Sequence, residues 1–399
     1  MTLDLTDLDV TSTEFFSRPD HYDVLRYLRT AAPVCRSGPD TWIVSTYDDI
    51  RAISRDPARF SSTRGVIIND PMRTLPADAT TGSIIHMDPP SHASYRKLVN
   101  GEFTPRAVSS LEAAVRATVV DVLDRAPVGE EFDVVSQITA PVPVLVIAAL
   151  LGIEDGDLGD FRRWSDAMIE YADAQGDPSS SGEGAVAGME LFTFLSRHIA
   201  DRHASPRQDL ISLLTAATFE GASLTRDQLL MFCLTLLVAG NETTRHLLSG
   251  GIEALSANPD QRDHLAAHPE LIPQAGEEML RWVTPIQAMG RTAVTDLEVH
   301  GQAVAQGDYL VMLYASGNRD ESVFGPTADR FDISRTVSPT HVAFGFWEHL
   351  CLGASLARLE VRVFFEELLA RFPHFAVTGA PAWTESTLVH GPRTMPVVL

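Results

Sequence analysis

The stretch Phe344-Gly345-Phe346-Trp347-Glu348-His349-Leu350-Cys351-Leu352-Gly353 decides how the rest of the chain reads. Its cysteine follows a glycine-containing aromatic loop. It stands just before a helical pattern that opens Ala354-Ser355-Leu356-Ala357-Arg358-Leu359-Glu360. A helix N-terminus carries unpaired N–H groups and partial positive charge, and both lower the pKa of a nearby thiol. Cys351 is therefore well placed to be a thiolate. Taken alone, it is equally a small buried apolar side chain, the commoner use of a free cysteine.

Upstream, Thr225-Arg226-Asp227-Gln228 has the form of a capping box, which opens a helix that can run to about Ala257, before Asn258-Pro259. At 1.5 Å per residue such a helix is ~50 Å long. Its first half is apolar on every face, which sends it through the centre of the protein. It contains Ala239-Gly240-Asn241-Glu242-Thr243-Thr244. A glycine inside a helix costs ~1 kcal/mol against alanine, and small residues there let a ligand approach the backbone. Ala239 and Thr243 share a face, one turn apart. An acid beside a hydroxyl can relay protons. The competing reading has Thr243 bonding back to the Ala239 carbonyl and Glu242 solvated.

Two further pairs stand out. Glu278-Met279-Leu280-Arg281 sets opposite charges at i and i+3, worth only ~0.2–0.5 kcal/mol on an exposed helix. His92 and Arg96, at i and i+4, reach one patch of surface. Each has a bland reading as ordinary surface charge.

Composition narrows the class. The chain has 399 residues, 45% of them hydrophobic, enough for a large core. Its net charge of −22 makes nucleic acid and anionic membranes poor partners. Cys35, Cys233 and Cys351 are odd in number and widely spaced, which points to a reducing compartment without a disulfide framework. No CxxC or His-rich tract suggests structural zinc. Met1 to Asp7 has neither a basic nor an apolar leader segment. The apolar runs Val142–Ile153 and Leu229–Gly240 fall short of the ~20 residues a membrane span needs. The expectation is a cytoplasmic protein with no membrane anchor.

The remaining pattern is mainly α with small β-sheets. Helices are expected over Asp20–Pro33, from Tyr47, over 91–126, 134–152, 155–173 and 184–202, on to Trp282, and over Leu352–Phe372. Strands are expected at Thr41–Ser45, Asp296–His300 and Tyr309–Leu313, with β-like pieces over 387–398. Phe60 to Pro90 reads as a long loop, which in a compact protein is usually functional. Residues 176–184 read as a linker. No repeat and no convincing boundary divides the chain. One domain over 1–399 is expected, with 1–19 irregular.

The Cys351 stretch resembles the cysteine-ligand loop of the cytochrome P450 family, Phe-Gly-x-Gly-x-His/Arg-x-Cys-x-Gly. Phe344, Gly345, His349, Cys351 and Gly353 match, and Trp347 replaces the second glycine. Ala239 to Thr244 matches the family's oxygen-activation pattern residue for residue, and Glu278-x-x-Arg281 falls where the family keeps its Glu-x-x-Arg. The resemblance runs from about Asp20 to Leu399. It implies the P450 fold, with a long central helix over a buried haem b and Cys351 as the iron ligand. It also implies a dioxygen groove at Ala239-Gly240, proton delivery by Thr243 assisted by Glu242, and a structural role for Glu278 and Arg281. The two haem propionates would be held by His92, Arg96, Arg291 and His341, with His349 in a further contact.

The same resemblance places the substrate against Val66, Ile67, Ile68, Ile84, Ile85, Leu236, Ile286, Gln287, Met289, Leu388 and Val389. These are mostly apolar and suit a hydrophobic small molecule, sterol, terpenoid or lipid-like, or a secondary-metabolite scaffold. It implies a monomeric monooxygenase using O2 and electrons from a ferredoxin or flavodoxin with its reductase, since no Gly-x-Gly-x-x-Gly follows a strand. A basic patch at Arg106, Arg358 and Arg362 would receive that partner. The alternatives are a peroxide-using or radical-coupling haem-thiolate enzyme and a haem-based sensor or binding protein. Trp347 is expected at a turn with φ > 0, where a non-glycine residue costs on the order of 1–2 kcal/mol.

Overall fold

The computed structural model describes residues 5, 8–76, 83–161, 163–164, 167, 181–219, 222–336 and 340–399. A helical body packs around one long helix, Arg226–Ala257, and a five-stranded sheet lies to one side. Thr225 caps the helix as the sequence suggests: its hydroxyl accepts from the Gln228 N–H, and Gln228 Oε1 accepts from the Thr225 N–H. Its 32 residues give a length of about 48 Å.

This central helix packs against Pro141–Leu151, Ser181–Ala204, Ile272–Val283 and Ala354–Arg371. The segment Pro141–Leu151 (PVPVLVIAALL) is apolar on nearly every face, so it can only be a core helix. Gly250 and Gly251 let two neighbours in on the other side. A β-carbon on Gly250 would lie 2.8 Å from Val283, and one on Gly251 would lie 2.7 Å from Phe365.

The sheet runs in the order Val34–Arg36, Thr41–Val44, Tyr309–Leu313, Ala288–Ala293, Phe60–Ser61. Thr41–Val44 pairs in parallel with Tyr309–Leu313, and the other pairs are antiparallel. The strand Ala288–Ala293 thereby carries Met289 and Arg291 between the sheet centre and the start of the long 60–90 loop.

Several expectations change. The N-terminal segment is packed rather than wholly irregular: Thr13–Ser17 is a helix capped by Ser12, and Leu8, Val10, Phe15 and Phe16 are buried. The helix expected over 91–126 is three helices, Ser91–Lys97, Pro105–Ser109 and Glu112–Asp124. Pro105 starts the second under a Thr104 cap. Ser181 to Gly184, read as linker, is the first turn of Ser181–Ala204. The rest of that linker and residues 162, 165–166 and 168–173 of the expected 155–173 helix lie outside the described residues. The strands Val34–Arg36 and Ala288–Ala293 were not expected. Each is short and buried on both faces or at an edge, so neither alternates cleanly.

Candidate active site

The loop before Cys351 closes through backbone bonds. The Gly345 N–H donates to Val342 O at 2.9 Å, and the Cys351 N–H donates back to Phe344 O at 2.8 Å. Between them Trp347–His349 forms one 3₁₀ turn, and the next helix, Ala354–Arg371, begins three residues after the cysteine. Two residues in the loop have left-handed backbones, Gly345 at φ +70° and Trp347 at φ +63°. The turn thus keeps its left-handed geometry with a tryptophan in it. The Trp347 side chain is 57% exposed.

Cys351 is exposed by accessible area, yet the surrounding protein raises its thiol pKa above the ordinary value. Burial is the main cause, opposed by the Gly353 N–H, Arg96 and Arg358. The two facts fit a sulphur at the floor of a walled recess, uncovered by its neighbours but remote from bulk water. The helix-end effect expected from the sequence is present and outweighed by burial.

A cationic cluster adjoins this sulphur. His92 and Arg291 are buried, at 2% and 4% exposed, and Arg96 and His349 are half-buried. The His92 and His349 rings lie 4.2 Å apart between centroids. Arg96 Nη1 donates to Glu348 O at 2.9 Å, and Arg291 Nη1 donates to Gly290 O at 2.7 Å. Burial pushes His92 down to about 4, with Arg96 and Arg291 adding to the shift. His349 falls to about 2, through burial first and then Arg291, His92 and Arg96. Both imidazoles are therefore neutral donors beside two fixed guanidinium charges. Neither arginine forms an ion pair among the described residues. Such a set suits a dianion with two carboxylates, so these residues fit a haem with its propionates. His341 is buried against the cysteine loop, its ring 5.7 Å from that of Phe344. Its Nε2 lies 3.4 Å from the Glu277 carboxylate, which Arg358 also holds at 2.6 Å.

On the central helix, Val238 is 40% exposed and Ala239 is exposed, although the residues on either side pack into the core. These two positions are left uncovered by the surrounding protein. Thr243 is half-buried and donates to Ala239 O at 2.7 Å. Glu242 is buried rather than solvated. Its Oε1 accepts from Arg245 Nη2 at 2.9 Å and lies 3.5 Å from His246 Nε2. The acid is thus held by the next turn of its own helix. Gly240 has a packing use: a β-carbon there would come within 2.7 Å of Ile147. Its bareness admits the neighbouring helix, whereas Ala239 is the residue open to a ligand.

Glu278 and Arg281 are fully buried. Arg281 meets Glu278 with two bonds of 2.7 Å and donates to the carbonyls of Asn318, Ala328 and Arg330 at 2.7–2.9 Å. Glu278 Oε1 also accepts from the Asp332 N–H at 2.9 Å. All five guanidinium N–H groups are used, and residues 318–332 are tied to this helix ahead of the cysteine loop.

The segments expected to contact substrate are joined by backbone bonds. The Gly290 N–H donates to Val66 O at 2.7 Å, the Gln287 N–H donates to Leu388 O at 2.9 Å, and Ile286 bridges Val389. Within them, Ile67, Ile84, Leu236, Ile286, Met289 and Leu388 are half-buried and Ile85 is 37% exposed. Val66, Ile68, Gln287 and Val389 are buried. Ile68 belongs to the core beside Leu25 and Tyr309, and the Gln287 amide holds the C-terminal turn through Ser386 O at 2.7 Å. Sequence reasoning named Leu236 on the central helix and missed Val238. Stepping about 100° per residue from Ala239 would have found it.

The expected basic patch also changes. Arg358 is paired with Glu277 at 2.6 Å, and Arg362 with Glu112 at 2.6 Å and Glu366 at 3.1 Å. Arg106 remains exposed. Beside the cysteine loop, Arg51 and Arg55 lie over the Phe346 ring at 4.3 and 4.8 Å, and neither forms an ion pair among the described residues.

Comparison with known proteins agrees with this geometry. The family model for Cytochrome P450 matches residues 34–389. The chain is 36% identical to linalool 8-monooxygenase of Pseudomonas putida, with 98% of each chain covered. It is 36% identical to steroid C26-monooxygenase of Mycobacterium tuberculosis, covering 98% of this chain and 97% of that one. A solved cytochrome P450 from Chondromyces apiculatus superposes with a TM-score of 0.86 at 34% identity, covering 99% and 98% of the two chains. The chain belongs to the cytochrome P450 family of haem-thiolate enzymes and is a P450 monooxygenase.

Proposed function

We propose that this enzyme hydroxylates a hydrophobic small molecule, of sterol, terpenoid or lipid-like character, using O2 and electrons from a ferredoxin or flavodoxin with its reductase. The observation that carries the reading is the Cys351 sulphur in its recess beside Arg96, next to the cluster of His92, Arg96, Arg291 and His349, whose two arginines form no ion pair among the described residues although Glu348 lies 3.7 Å from His349. Bound there, haem b supplies the activation of O2 and the transfer of one oxygen atom to a C–H bond. Cys351 holds the iron as thiolate, its charge favoured by the Gly353 N–H, Arg96 and Arg358. His92, Arg96, Arg291 and His349 hold the propionates, and His341 supports that side through Glu277.

Ala239 leaves room beside the helix for a small ligand. Thr243 holds a hydroxyl at that opening, and Glu242 supplies the proton once it leaves Arg245. The apolar residues Ile67, Ile84, Ile85, Val238, Ile286, Met289 and Leu388 exclude water and orient the substrate. The related linalool and steroid monooxygenases favour this substrate class. Arg51, Arg55 and Arg106 near the cysteine loop suit an acidic electron carrier. No helix among the described residues is long and apolar enough to cross a membrane. The proposed enzyme is a cytoplasmic monomer working with a diffusible carrier. Turnover separates this reading from a peroxide-using one. Product formation with O2, NAD(P)H and a ferredoxin–reductase pair supports it, and product only with peroxide contradicts it.

A further inference from the structure

We infer that Thr235 is a specificity-determining residue that accepts a hydrogen bond from a hydroxyl or N–H group on the substrate. The inference rests on the apolar-substrate reading above and narrows it. Taking about 100° per residue, Val238, Thr235 and Ala239 lie within one arc of about 100° on the central helix, with Thr235 near its middle. Val238 and Ala239 are exposed at the edges of that arc, and Thr235 is half-buried. The same face carries Thr243, about 12 Å further along the axis.

Ahead of the Ala239–Thr243 turn this face carries two polar side chains, Gln228 and Thr235, and Gln228 is used at the helix start, where its Oε1 accepts from the Thr225 N–H. Met231, Val238 and Ala239 are apolar, and Glu242 is committed to Arg245. The Thr235 hydroxyl donates its proton to Met231 O at 2.7 Å. Its lone pairs remain, so it can accept but has no second proton to give. A substrate carbonyl gains only by displacing the bond to Met231 O, while an alcohol or amine N–H binds with that bond intact. The favoured ligand is an apolar molecule whose only donor lies one to two helical turns from the carbon that is oxidised.

The test uses the haem-loaded enzyme, with binding read from the Soret band. The probes are two matched pairs, a terpene alcohol with its parent hydrocarbon and a hydroxysteroid with its deoxy analogue. Wild type is expected to bind the alcohols more tightly. Thr235→Val is expected to weaken the alcohols about five- to tenfold, the worth of one neutral hydrogen bond, and to leave the hydrocarbons unchanged. Thr235→Ser is expected to restore the preference. Equal losses on both members of a pair, or a wild type indifferent to the hydroxyl, overturn the assignment. A wild type that responds to no member of either pair contradicts the apolar-substrate reading itself, and this assignment with it.

Discussion

Replacing Trp347 by glycine and, separately, by alanine isolates the backbone energy of the cysteine loop. Trp347 sits at φ +63°, in the left-handed region that costs a residue with a β-carbon ~1–2 kcal/mol. Glycine escapes that cost but loses ~0.5–1 kcal/mol through its freedom in the unfolded chain. The indole is 57% exposed and meets Phe346 at 6.4 Å between centroids, so removing it forfeits only about 1 kcal/mol of burial. For Trp347→Gly these terms nearly cancel against wild type. Trp347→Ala keeps the strain and loses the ring. It is expected to be less stable than Trp347→Gly by ~0.5–1 kcal/mol, the reverse of their order at an ordinary helical site. Urea unfolding of the haem-loaded proteins, followed by the Soret band and by circular dichroism, measures the difference. An alanine variant as stable as the glycine variant, or more so, would refute the account of this turn.

Arg281→Met should cost about 3–5 kcal/mol, because it takes both close bonds from the buried Glu278 carboxylate, leaving it Arg335 Nε at 3.2 Å and the Asp332 N–H, and it strips the carbonyls at 318, 328 and 330 of their donor. The measurement is denaturant stability and haem retention on purification. His21 is buried and His390 half-buried, and both are depressed from 6.5, to about 4 and about 3, chiefly by loss of solvent around the ring. Below pH 6.5 the unfolded chain binds protons that the native state refuses, so stability falls as pH falls. Between pH 7 and 5 each should cost about 2 kcal/mol, and His390→Gln should flatten the unfolding-versus-pH curve by its share. Arg51→Glu together with Arg55→Glu should slow reduction by an acidic ferredoxin and weaken its salt dependence, without changing substrate binding. Stopped-flow reduction at several ionic strengths reads this directly.

Much of the site was legible because its motifs are local. The cysteine loop, the Ala239–Thr244 turn and the capping box at Thr225 each declare themselves within ten residues. What escaped reading depends on side chains meeting across the fold. Arg358 and Arg362 look like free cations until Glu277, Glu112 and Glu366 are found beside them. Gly240 looks like room for a ligand until Ile147 fills it. Glu242 looks solvated or poised until Arg245 and His246 enclose it. Glu278 and Arg281, worth little as an exposed pair, gain their importance from the carbonyls at 318, 328 and 330, which no local pattern reveals. The left-handed turn at Trp347 was legible because the family places glycine there.

The most direct test of the whole account is the absorption spectrum of the reduced protein under carbon monoxide. Cysteine thiolate ligation by Cys351 requires the strongly red-shifted Soret band of a thiolate-bound haem, and Cys351→His should abolish that shift while haem stays bound. An unshifted band in the wild-type protein, or a shift that survives in Cys351→His, would contradict Cys351 as the iron ligand and the function built on it.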